Sequence, residues 1–80
     1  MPKRSPTNIP DLLVQLGTNV RSRRLTLEMS QEQLAELSGL HRTYIGMVER
    51  AEKNITILNV EKLSLALGCS VSELLDEAKD

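Results

Sequence analysis

The sequence predicts a small all-α domain of five helices, and three observations carry that reading. From Pro10 onward the apolar residues recur at three- and four-residue spacing, and no stretch alternates as a strand would. Two Ser-x-x-Gln/Glu capping boxes, at Ser30 and Ser70, mark helix starts. Gly39 and Gly68 follow apolar runs where a helix would end. The chain has 80 residues, enough for one modest core.

The elements follow in order. Residues 1–9 hold two Pro, two basic residues and little apolar character, and read as a flexible N-terminal arm. Residues 10–80 form the folded domain. Its first helix is expected from Asp11 to Leu27, with Leu13, Leu16, Val20 and Leu27 on one face. Arg24 falls in that apolar stripe and requires a partner, because an isolated buried charge is very costly. Gly17 weakens the same helix by about 1 kcal/mol relative to Ala. The second helix is capped by Ser30, carries Leu34, Ala35 and Leu37, and ends at Gly39.

Leu40 fills the turn, and a third helix runs from Arg42 to Glu52. Lys53-Asn54-Ile55 is a loop, and Thr56 caps a fourth helix over Ile57–Leu67. In it Ile57, Val60, Leu63 and Leu67 face one way, with Leu58 and Leu65 nearly opposite. A fifth helix, capped by Ser70, continues to about Ala78.

Two short helices joined at Gly39-Leu40 make a helix-turn-helix. Placed at 100° per residue, the third helix turns His41, Tyr44, Ile45 and Val48 to one side. Arg42, Thr43, Gly46, Met47 and Arg50 share the other side. Composition alone would read that arc as a solvated face. Its chemistry also suits a DNA groove. Arg42 offers a planar fork to guanine O6 and N7, and Thr43 a hydroxyl or a methyl. Met47 offers apolar contact, and Gly46 close approach of the backbone.

Ser30-Gln31-Glu32-Gln33-Leu34-Ala35-Glu36-Leu37-Ser38-Gly39-Leu40, with Tyr44-Ile45 and Val48-Glu49-Arg50, resembles the helix-turn-helix of the XRE family. That family includes the Cro proteins and repressors of lambdoid phages, and the resemblance covers Leu16 to Leu75. Leu40 to Ile45 and the Glu49-Arg50…Asn54-Ile55-Thr56 stretch are most like controller proteins of restriction–modification systems, small dimers that time their own operon.

The resemblance implies a lambda-repressor-like domain that binds a double-stranded operator as a homodimer and regulates transcription. Together with the helix-face chemistry it points to base reading by Arg42, Thr43, Gly46 and Met47, with a solvated face as the alternative for Met47. Phosphate contact is expected from Gln31, Tyr44, Arg50, Lys53 and Asn54; a solvated loop is the alternative for the last two. It pairs Arg24 with Glu49 in a structural salt bridge. Ile55, Leu58, Leu65 and Leu75 are expected at a two-fold interface, with completion of the core as the alternative for each.

Charge supports the orientation only weakly. Residues 1–53 carry a net +2 and residues 54–80 a net −3. A second reading is an antitoxin-type or other protein-interaction module on the same fold, with RNA polymerase among the partners. An enzyme is not expected, since one His (His41) and one Cys (Cys69) form no catalytic or metal set. No cofactor or metal is expected, nor a membrane span, and the lone Cys fits the cytoplasm.

Overall fold

The computed structural model describes residues 11–77. The expected arm over residues 1–9 lies outside them, as does Ala78. Five helices follow one another: α1 (Asp11–Thr26), α2 (Gln31–Ser38), α3 (Arg42–Glu49), α4 (Ile57–Leu67) and α5 (Val71–Leu75). There is no strand among the described residues.

The starts of these helices are written in hydrogen bonds. Ser30 Oγ accepts from the Gln33 amide at 3.0 Å, and the Gln33 side chain returns to the Ser30 amide at 2.7 Å. Ser70 and Glu73 close the same reciprocal box on α5. Thr56 caps α4 through the Asn59 amide at 3.2 Å. Each bond satisfies a first-turn N–H that the helix cannot pair itself.

The ends share one device. One or two residues after each of α1 to α4 the chain takes a left-handed conformation: Glu28 at φ 56°, Gly39 at 75°, Ala51 at 57° and Gly68 at 68°. The next amide then reaches five residues back, as Glu52 does to Met47 O at 2.8 Å and Met29 to Arg24 O at 3.0 Å. This satisfies carbonyls orphaned at the helix end. Two of the four positions hold a residue with a Cβ, at a cost of about 1 kcal/mol each. The expected extension of α3 to Glu52 is therefore corrected. Ala51 adopts the turn that glycine would favour, and α3 stops at Glu49. The fifth helix is also shorter than expected, ending at Leu75.

The core gathers Leu16 and Val20 of α1, Leu34 and Ala35 of α2, and Ile45 and Val48 of α3. Val60, Leu63 and Leu67 of α4 and Leu74 of α5 complete it. Leu27 and Ile57, expected to face inward, are exposed, and Leu13 is only half-buried. Leu27 lies past the end of α1, where the chain has already left the helical stripe. Ile57 is the first residue of α4, beyond the reach of the core. Asn19 ties the middle of α1 to the end of α5, its Nδ2 donating to the carbonyls of Leu74 at 2.8 Å and Asp76 at 2.7 Å.

Candidate nucleic-acid interface

The orientation of α3 is set from beneath. Arg24 on α1 and Glu49 at the end of α3 meet in a two-pronged ion pair. Arg24 Nε donates to Glu49 Oε2 at 2.7 Å and Nη2 to Oε1 at 3.0 Å. The side chains are 9% and 3% exposed, so the pair is screened from water. Its remaining valences are filled from the same molecule. Arg24 Nη1 donates to the Met29 carbonyl at 2.8 Å, and Gln31 Nε2 donates to Glu49 Oε1 at 3.0 Å. No described buried side-chain polar atom lacks a partner. The Glu49 hydrogen bond holds the Arg24 guanidinium above its ordinary pKa, against burial, with the Glu49 charge adding to the effect. A planar, permanently charged fork suits such a site, where Lys would supply only a point charge.

Gly17 sits two helical turns before Arg24 on the same face of α1, and it is buried. A Cβ there would lie 2.5 Å from the Val48 carbonyl oxygen and 2.8 Å from that of Glu49. The last carbonyls of α3 thus rest directly on the α1 backbone. The sequence shows only a glycine that weakens a helix. Its reason lies in a contact with a segment about thirty residues away, which no local pattern displays.

Above this joint, α3 turns Arg42 and Thr43 to solvent, with Met47 half-buried at the edge of the same face. Ile45 and Val48 are buried beneath. His41 opens the helix through its backbone, but its side chain is exposed and makes no capping bond. That corrects its expected place on the inward side. Tyr44 is half-buried, and its hydroxyl accepts from Asn59 Nδ2 at 3.2 Å, so it bridges α3 to α4. Lys53 and Asn54 are exposed in the loop beyond.

Two expectations at this face need revision. Gly46 does not offer bare backbone: it is buried. The atoms nearest to where its Cβ would stand all belong to the Arg50 guanidinium, with Nη1 at 3.0 Å. Gln31 gives one N–H of its side-chain amide to Glu49, so only its other N–H and its carbonyl are left for an outside partner. What remains exposed at the start of α2 is the backbone at the helix N-terminus, where partial positive charge gathers.

No group of three or more His, Cys, Asp or Glu among the described residues could hold a metal ion. No described helix is long and apolar enough to cross a membrane.

A short positioning helix, a left-handed turn and a second helix with one buried and one bare side define a DNA-binding helix-turn-helix domain. The helix-turn-helix family HTH_3 matches residues 20–74, and the chain belongs to that family of transcription regulators, which are not enzymes. It is 55% identical over 65 residues to the control protein C.SmaI of Serratia marcescens, covering 81% of this chain and 77% of that one. The crystal structure of the restriction–modification controller protein C.AhdI from Aeromonas hydrophila superposes with a TM-score of 0.75 at 45% identity, covering 78% of this chain and 94% of that one. The biofilm regulator SinR, solved in complex with DNA, gives a TM-score of 0.73 at 34% identity over 76% of this chain and 98% of its own. The resemblance to controller proteins drawn from the turn and third helix is thus matched across most of the chain.

Proposed function

We propose that this protein binds a two-fold DNA operator as a homodimer and controls a restriction–modification operon. The single observation that carries the reading is the exposed Arg42–Thr43 side of α3, braced from below by the Arg24–Glu49 pair. A helix fixed in this way can enter a major groove with its side chains already ordered, and Arg42 then meets guanine and Thr43 a neighbouring base. Met47 sits at the margin of that reading. The Tyr44 hydroxyl, Lys53, Asn54 and the N-terminal amides of α2 provide phosphate contacts that set register. The relatives named as restriction–modification control proteins support the operon assignment, and the SinR complex supports DNA as the ligand. The site of action is the cytoplasm, and RNA polymerase at the adjoining promoter is the further partner.

One recognition helix spans only a few base pairs, so a second copy is required for a useful site. The outer side of α4 supplies the surface for it. Leu58 is 67% exposed and Leu65 75% exposed, one above the other. Ile55 and Leu75 are half-buried against their own core and line an apolar groove with Leu12, Leu13, Ile57 and Val60, so they are not part of the Leu58–Leu65 face. Burying one exposed Leu is worth about 1.5–3 kcal/mol, so a few such side chains from each copy suffice to hold a pair.

Selection of genomic fragments at physiological salt, followed by footprinting, tests the proposal. Two protected half-sites should appear, related by a dyad and centred about 34 Å apart. Affinity should fall steeply with salt. Arg42→Ala should cost about 1–3 kcal/mol and relax the choice of one base pair in each half-site. A stoichiometric protein partner recovered with no DNA shift, or an Arg42→Ala variant with unaltered affinity and preference, would overturn it in favour of an interaction module.

A further inference from the structure

Arg50 is the last residue before the chain turns away from α3, and sequence alone assigns it to phosphate. Its position in the structure differs from that expectation. The side chain folds back along the helix by one turn and lies over Gly46. A Cβ at position 46 would stand 3.0 Å from Arg50 Nη1, 3.6 Å from Nη2 and 3.7 Å from Cζ. Those are the three nearest atoms, so the guanidinium itself covers the glycine. A Cβ there would force the guanidinium to give way by a few tenths of an ångström.

A second contact fixes the other edge of the fork. Glu52, carried round by the left-handed turn at Ala51, pairs with Arg50 Nε at 3.1 Å. This leaves the two terminal nitrogens unengaged by that carboxylate, on a side chain that is still 57% exposed. Arg42, Gly46 and Arg50 are spaced by four residues and form one stripe along α3. Were α3 seated in a major groove, a guanidinium at the middle of that stripe would stand over the groove floor, with the sugar–phosphate strands to either side.

We propose that Arg50 reads a guanine, with its two terminal nitrogens presented to O6 and N7 from a seat that Gly46 leaves open and Glu52 braces. Gly46 is then a specificity-determining position through the residue it accommodates, not through its own backbone. The proposal rests on the reading that α3 enters the major groove. It adds a second arginine to the base-reading set and removes Gly46 from direct contact.

Selection from a randomised duplex library at physiological salt, with affinity then measured over a salt series, separates the possibilities. Arg50→Ala should flatten the preference for one G·C pair per half-site by about 10-fold or more, leaving the pair read by Arg42 unchanged. Arg50→Lys should fail to restore that preference, because an ammonium lacks the fork. Gly46→Ala should fold at least as well as the parent, since Ala favours a helix and the displaced atoms are the tip of a mobile side chain. It should nevertheless loosen the same G·C pair. Uniform weakening on every sequence, a salt slope reduced by about one and rescue by Lys would make Arg50 a phosphate contact and overturn the proposal. So would a Gly46→Ala protein whose preference is untouched. A parent protein that enriches no sequence overturns the groove reading as well, and that outcome is distinct from both.

Discussion

The inner and outer sides of α3 are built on opposite rules. On the inner side every described buried side-chain polar atom has a partner within the same molecule. Gly17, Arg24 and Gln31 converge on Val48 and Glu49, and the Met29 carbonyl takes the remaining prong of Arg24. On the outer side Arg42 and Thr43 are exposed. The first arrangement fixes the helix in one orientation; the second leaves donors and a methyl for a polar surface elsewhere. The outer side of α4 differs again, since Leu58 and Leu65 present apolar area with almost no directional demand. On the proposed function, recognition that needs geometry would fall to the braced helix, and association that needs only burial to the other.

Substitutions can break this contrast, and the largest effect belongs to the joint. Glu49→Leu leaves the Arg24 charge buried without its counterpart and should cost about 3–5 kcal/mol, read as a fall in the denaturant midpoint. Combining it with Arg24→Met should recover much of that loss, as apolar replacement of both members removes the stranded charge. Additive costs in this double-mutant cycle would show that the two residues do not act as a pair.

Gly17→Ala comes next. A new Cβ would overlap two backbone oxygens that cannot rotate away, so overpacking should outweigh the gain in helix propensity and destabilise by about 1–3 kcal/mol. Circular dichroism melts check this; a raised midpoint would mean that α3 slides to accommodate the methyl, and the joint would then be softer than described.

On the apolar side, Leu58→Asp with Leu65→Asp should leave the fold of a single chain nearly unchanged, since both residues are exposed. The same variant should weaken self-association by about 2 kcal/mol or more, as seen in sedimentation at micromolar concentration. An unaltered association constant would move the interface elsewhere. The smallest expected change is a gain: Ala51→Gly relieves the Cβ penalty at φ 57° and should stabilise by about 1 kcal/mol, measured by the same melts.

Much of this was legible in the sequence because it depends on neighbours in the chain. The capping boxes at Ser30 and Ser70 and the cap at Thr56 announce three helix starts through spacings of three residues. The periodicity of α3 separates Ile45 and Val48 from Arg42 and Thr43. What the sequence hides depends on long-range contact or on overridden preference. Ala51 disfavours a left-handed turn, yet the bonds from Ala51 and Glu52 back to Val48 and Met47 impose one, and α3 ends early. Gly46 reads as open space until Arg50 is seen lying on it. Gln31 reads as an outward amide until Glu49, eighteen residues on, accepts its proton.

Arg24 touches both ends of the motif, accepting the constraint of Glu49 below α3 and holding the Met29 carbonyl just ahead of α2. The tilt of α3 against its own domain is therefore set by side chains of the same molecule. If two related regulators with compatible leucine faces met in one cell, a mixed pair would keep both parental preferences intact, one in each half of a hybrid site.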